Sequence, residues 1–245
     1  MAVKTSKSNH QDRADRARKN ILRAAIREFS ANGLAGARTD AIAEAAKVNK
    51  ALLYYYFKSK TGLYEAALDE AAGMVAESAL AALDPKHSAG ERVLRSALSH
   101  FDRVLSQQEF QSLMQQELVR FRQGESEAIR GVVEKLFRPM IARLEATIRK
   151  GMHSGELCEG DWMQVVYSML GANVFYFLSA PMVRLAMPDQ TYDRSSIACR
   201  RVAAMQFLGN ALFVDRAHGA KLAKRVLADI PMPKIRNVQV WRKFS

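Results

Sequence analysis

An all-α fold is what this chain of 245 residues predicts, and three observations carry it. Glycine and proline are scarce, 13 and 6 in all, so the frequent tight turns of a strand protein have few residues to build them. Apolar residues recur at three- and four-residue intervals over most of the chain, the period of an amphipathic helix. Segment boundaries also carry helix start and stop residues in the expected order.

The first helix is expected over about 15–31. Ile21, Leu22, Ala25, Ile26 and Phe29 share a face, Arg16, Lys19, Arg23 and Arg27 lie largely opposite, and Asn32-Gly33 supplies the stop. Thr39 stands as N-cap before Asp40, which predicts a short second helix over about 40–46. Asn49 caps a third over about 50–56, and Ser59 caps a fourth running towards Leu83. Asp84-Pro85 breaks the chain into a loop. Helical patterns follow at about 90–106, 108–121, 125–152, 161–180, 192–217 and 219–229, with APMVRLAMPDQT read as a separator. The expected organisation is a basic arm (1–14), a three-helix helix-turn-helix domain (15–62), a helical body (63–230) and a flexible basic tail (231–245).

Charge is distributed unevenly. Residues 1–60 hold 13 basic and 5 acidic side chains and residues 216–245 hold 8 and 1, so the middle is slightly acidic. Basic ends on a near-neutral body fit an anionic polymer as partner, and equally fit termini that only aid solubility. Cys158 and Cys199 make no disulfide framework and no zinc module, which suits a reducing cytoplasm. Cys158, in a Gly-rich loop with His153, reads as a solvated thiol or a redox switch. The N-terminus has no apolar stretch of the signal-peptide kind. Residues 165–183 approach membrane-spanning length, but Ser168, Asn173, Ser179 and Pro181 interrupt them, so a doubly buried helix is expected and no membrane partner. Five scattered histidines, with no HExxH, P-loop, GxGxxG or GxSxG, predict no metal, no cofactor and no catalytic residues.

Short helices joined by tight turns in a basic segment have helix-turn-helix organisation. A helix entering a major groove needs small or donor side chains in its exposed first turn. Lys50, Ala51 and Leu52 stand there, Lys50 able to donate to guanine or to phosphate and Ala51 small enough to approach a thymine methyl. Tyr54-Tyr55-Tyr56-Phe57 divides between packing and DNA. Leu53, Phe57 and Ile42 are expected in the core, Tyr56 leans to packing, and Arg38 reads equally as phosphate contact or solvated side chain.

The run from Ile21 to Leu68 resembles the N-terminal domain of the TetR/AcrR family. The matching residues are Ala24-Ala25, Phe29, Gly33, Thr39 to Ala43, the stretch Lys47 to Lys60, and Leu63-Tyr64, about a fifth of the chain. The resemblance implies a homodimeric transcriptional regulator, repressor by default, on palindromic double-stranded operator DNA. Thr39 and Lys60 would meet phosphate, Lys50, Ala51 and Leu52 base edges, and Tyr54 and Tyr55 backbone or bases. Arg38, Lys47 and Asn49 complete the expected DNA-binding set. Lys47 stands where the family usually has a turn glycine, and Leu52 where a small hydroxyl residue is common. The same resemblance implies a helical ligand-binding and dimerisation domain. Candidate pocket residues for a small apolar or amphipathic effector are Phe101, Leu105, Phe110, Met114, Trp162, Met169, Asn173 and Tyr176, each of which also reads as plain core. Candidate dimer-face residues are Val165, Ala172, Phe175, Met205, Leu208 and Leu212. A DNA-binding dimer governed by a protein partner or by abundance, without a small ligand, is the alternative.

Overall fold

The computed structural model describes residues 3–234, with side chains from Asp12 onward. Twelve α-helices and one π-helix form its regular structure: α1 (Val3–Gly36), α2 (Thr39–Ala46), α3 (Lys50–Phe57), α4 (Lys60–Ala81), α5 (Ala89–Ser106), α6 (Gln108–Arg122), α7 (Ala128–Val132), the π-helix (Val133–Phe137), α8 (Arg138–His153), α9 (Trp162–Leu178), α10 (Ala180–Ala186), α11 (Arg194–Ala211) and α12 (Arg216–Asp229). The expectation of an all-α chain holds. Two compact units emerge: the chain to Val75 with Gln108–Phe137, and Ala76–Gln107 with the chain from Arg138 onward.

In the first unit Ile21, Leu22, Ala25 and Phe29 of α1 are buried, as their spacing predicts. Gly33 takes a positive φ of 68° inside the span of α1, so the helix proper stops at Asn32-Gly33. Residues 3–14, read above as an arm, are helical, since nothing in SKSNHQDRADRARK breaks a helix growing towards its N-terminus. Helix α6 returns from far along the chain and closes the unit. Its Ser112 hydroxyl and Gln116 amide both donate to the Ser30 carbonyl (2.7 and 3.1 Å), near the C-terminal end of α1. At its centre the fully buried Glu117 accepts from Tyr64 of α4 (3.0 Å), from Arg120 (3.0 Å) and from Ser126. Burial beside that carboxylate pushes the Tyr64 hydroxyl up to about 12, so it stays a donor.

The stretch 125–152, read as one helix, is divided. Pro139 has no N–H to continue the α ladder, and the backbone widens into a π turn just before it.

In the second unit α5 buries Val93, Leu94, Ala97, Leu98, Phe101, Val104 and Leu105. Residues 192–217 are also not one helix. Phe213 leaves the helical path to pair with Leu157 in an isolated bridge, and Asp215 accepts from the amides of Ala217 and His218 to start α12. Helices α11 and α12 then cross at Gly209 and Gly219, where a Cβ on Gly219 would stand 2.1 Å from the Gly209 carbonyl oxygen. The separator APMVRLAMPDQT contains α10, because Pro181 sits in the first turn, where a helix tolerates it. The tail residues Pro231 to Lys234 continue beyond α12 without helix, and Arg236, Arg242 and Lys243 lie outside the described residues.

No single helix among the described residues is long and apolar enough to cross a membrane. Helices α9 and α10, bent by 56°, pass that test only together. Val166, Met169, Asn173, Phe177 and Ala180 of this pair are buried within the unit.

Candidate nucleic-acid interface

Helix α3 is only eight residues long and is held by two of them. Leu53 and Phe57 are buried, against a core that includes Ile42 of α2. Asn49 caps it as the sequence suggests, its side chain accepting from the Leu52 amide at 2.7 Å. Lys50, Ala51 and Tyr55 are exposed, and Leu52, Tyr54 and Tyr56 are half-buried. Tyr56 donates its hydroxyl to the Ala14 carbonyl (3.4 Å), which ties α3 to α1. Tyr55 instead stands in solvent, edge-on to Tyr56 and capped by the Lys58 ammonium 5.4 Å from its ring.

The turn before α3 rests on Lys47, which caps α2 in the left-handed conformation (φ 57°, ψ 44°) and donates its amide back to the carbonyls of Ala43 and Glu44. This is the torsion that a turn glycine adopts freely, so the chain reaches the same geometry with a lysine. The exposed side chains of Lys47 and Asn49 flank the turn.

Thr39 is not the N-cap of α2. Arg38 occupies that position in an extended conformation, and its amide donates to Glu28 (3.0 Å). Thr39 is the first helical residue, and its largely buried hydroxyl lies 3.3 Å from that of Tyr54. Lys60, at the start of α4, donates its ammonium to the Ala35 carbonyl (3.0 Å), and Ser59 accepts from the Gly62 amide (2.9 Å), the cap foreseen for it. Arg38, Thr39, Lys47, Asn49, Lys50, Ala51, Leu52, Tyr54, Tyr55 and Lys60 all stand in one unit, and the exposed ones contribute three cations and no acid.

One partner was not foreseen. Lys50 makes an ion pair with Asp40 of α2 at 2.8 Å. The hydrogen bond between them holds the Asp40 carboxyl below its ordinary range and raises the Lys50 ammonium. The residues are ten apart across a turn, a separation for which helical spacing gives no rule.

The candidate pocket residues fall into separate places. Phe101, Leu105 and Tyr176 meet in one cluster with Phe177 and Ile197. Met169 and Trp162 belong to a second, larger cluster. The buried Asn173 donates to the Ala97 carbonyl (3.1 Å) and pairs with His100 (3.3 Å). Phe110 and Met114 lie on α6 in the other unit. A cavity of about 280 Å³ in the second unit is bounded by Leu157, Cys158, Asp161, Val165 and Leu212, and one of about 560 Å³ in the first by Gly33, Gln116, Val119 and Arg120. None of the eight candidates lines either. Among the dimer-face candidates, Met205 and Leu208 are buried in the chain's own core and Val165 and Leu212 are half-buried. Ala172 and Phe175 are exposed, with Tyr167 and Leu178 on the same helix and Val202 and Phe207 on α11. Among the described residues no group of three or more His, Cys, Asp or Glu could hold a metal ion.

Comparison with known proteins bears on the same segment. Residues 21–67 match the family model described as bacterial regulatory proteins, tetR family. The HTH-type transcriptional repressor NicS of Pseudomonas putida is 46% identical over 56 residues, 23% of this chain and 26% of that repressor. The chain thus spans about a quarter of the length of the curated relatives it matches. Likeness in fold extends further. The Streptomyces coelicolor protein SCO4942 superposes with a TM-score of 0.58 at 22% identity, over 89% of this chain and 99% of that one. A Saccharomonospora viridis regulator solved in complex with choline gives 0.62 at 19% identity, over 80% and 97%. Motif, helical order and fold agree: residues 21–67 form a domain of the tetR family of bacterial regulatory proteins, set in a helical fold shared with solved regulators.

Proposed function

We propose that this protein is a dimeric, cytoplasmic transcriptional repressor that reads a palindromic operator through α3 and is released from it by a small effector. The observation that carries the reading is the division of α3. Leu53 and Phe57 anchor it, while Lys50, Ala51 and Tyr55 face solvent from its capped first turn and middle, with Lys50 paired to Asp40. A helix of that build offers donors and a small side chain to base edges. Tyr54 and Thr39, hydroxyl to hydroxyl, present one polar point for a phosphate, and Arg38, Lys47 and Lys60 add charge for the backbone. Lys60 exchanges its contact with the Ala35 carbonyl for phosphate on binding.

A single copy reads half a palindrome, and the second unit supports a two-fold partner. Phe175 and Phe207 are 68% and 67% exposed, with Tyr167, Leu178 and Val202 on the same two helices, an apolar surface of the kind that a second copy covers. The two recognition helices then address half-sites about 34 Å apart. The choline-bound relative in fold supports a small molecule as effector, which acts through its difference in affinity for two conformations.

Selection of random duplex DNA on the purified protein tests this reading. We expect an inverted repeat, with Lys50→Ala and Tyr54→Ala each weakening binding by roughly 1–3 kcal/mol. A folded, dimeric wild type that enriches no sequence overturns it.

A further inference from the structure

Helix α5, the centre of the second unit, carries a polar row that a buried helix has no structural need for. Ser96, His100, Arg103 and Gln107 follow at spacings of four, three and four, which aligns them on one strip of the helix. Ser96 is buried and its hydroxyl has no hydrogen-bond partner, and the same is true of the Gln107 side-chain oxygen. Such orphaned groups are expensive, and of the two only the Ser96 hydroxyl can donate to an anion, since the Gln107 oxygen accepts.

Arg103 sharpens the point. It is 8% exposed, and its guanidinium donates to two neutral oxygens, the hydroxyls of Ser99 (2.6 Å) and Ser78 (3.4 Å). The neighbouring carboxylate, Asp102, is already engaged. Arg201, 5% exposed, holds both its oxygens at 2.8 Å in a bidentate pair. Two buried guanidiniums therefore share one carboxylate, and a net positive charge is left inside the unit.

His100 adds a donor beside it. The Asn173 side-chain nitrogen can only donate, so the His100 Nδ1 that faces it accepts, and the ring proton belongs on Nε2. Burial, with Arg103 next to it, pushes the imidazole down to about 4, so it is neutral at physiological pH.

We propose that this row is the polar wall of the effector site and that it takes a small monocarboxylate, its anion held by Arg103 with Ser96 and His100 as further donors. The inference rests on the effector reading above and names the chemical class of that effector. The guanidinium fork matches a planar carboxylate in geometry, and one negative charge is what the buried groups leave uncompensated. A cation finds no free carboxylate on this strip. The arriving anion replaces the serine hydroxyls as the acceptor for Arg103, a neutral contact giving way to a charge-assisted one.

The test uses the full chain. Thermal unfolding and intrinsic fluorescence are titrated with sodium propanoate to octanoate and benzoate, with the matched primary alcohols, inorganic phosphate and alkyltrimethylammonium salts as separate arms. Operator affinity is read by anisotropy in the same solutions. At least one carboxylate binds and raises Tm by roughly 2–4 °C, and its alcohol does not. Arg103→Gln weakens that carboxylate by about 10- to 100-fold, and Ser96→Ala by about three- to tenfold. Ser96→Ala removes a hydroxyl that has no partner, so it remains folded and carries the test alone if Arg103→Gln does not.

A carboxylate bound equally by wild type and both variants overturns the proposal, as does binding confined to phosphate, alcohol or cation, or no binding in any arm. An alcohol or alkylammonium that releases operator DNA leaves the effector reading standing and removes only its anionic form. A carboxylate that binds through Arg103 and leaves operator affinity unchanged supports the site and removes the effector reading instead.

Discussion

Helices α3 and α9 each bury only part of themselves, yet what they leave outside differs in kind. Helix α3 exposes an ammonium, a methyl group and a phenol, on a helix anchored by two buried residues. Helix α9 buries Val166, Met169, Asn173 and Phe177 and exposes Tyr167, Phe175 and Leu178. The amount of exposure does not identify a partner, whereas its chemistry does. Donors and charge beside a little apolar area suit a hydrated polyanion, and aromatic and aliphatic area without charge suits another protein surface.

Four measurements test this contrast. The largest effect is expected at the anchor of α3. Phe57→Ala removes one of its two buried side chains and should destabilise the first unit by about 3–5 kcal/mol in urea unfolding. A loss below about 1 kcal/mol would show that α3 is held mainly by its cap and turn. Next is the apolar surface. Phe175→Asp should raise the dimer dissociation constant by roughly 30-fold or more in sedimentation equilibrium, with helix content retained. An unchanged association state would remove Phe175 from the interface.

The third concerns acid. His100 has a folded pKa of about 4, below its unfolded value of 6.5. Below pH 6.5 the unfolded chain therefore takes up a proton that the folded chain refuses, and stability falls until about pH 4. Urea unfolding at pH 5 should show a loss of about 2 kcal/mol relative to pH 7, and His100→Gln should flatten that slope. Equal slopes in the two proteins would assign the acid sensitivity to other groups. The smallest effect is at Asp40. Asp40→Asn frees the Lys50 ammonium, so affinity for nonspecific duplex should rise and the salt dependence should steepen by up to about one counterion. Identical salt slopes would mean that Lys50 leaves Asp40 on binding in any case.

The legibility of the two regions in the sequence differs for the same reason that they do. Around α3 the determinants are local. Asn49 caps three residues ahead, Leu53 and Phe57 fall one turn apart, and the stop at Gly33 needs only a torsion. In the second unit they are remote. Asp102 meets Arg201 across 99 positions, and in the first unit Tyr64 meets Glu117 across 53. No local period encodes such pairs. Met205 and Leu208 carry the same apolar character as Phe207, so a list of apolar residues could not tell the inward face of α11 from the outward one. The break at Phe213 was hidden because an apolar residue there extends the helical period while its backbone pairs with Leu157. The Lys50–Asp40 pair spans a turn, where the side-chain geometry depends on the torsions of Lys47.

Lys47 places two demands on one residue. A left-handed torsion on a residue with a Cβ costs about 1 kcal/mol that glycine would not incur, and it stands at the entrance to α3 with an exposed ammonium. Heat tolerance and electrostatic attraction are thus in opposition at this position. An engineer who installs glycine there to harden the domain gives up a cation beside the proposed reading helix, and on that proposal a library screened only for melting temperature drifts towards weaker capture of DNA.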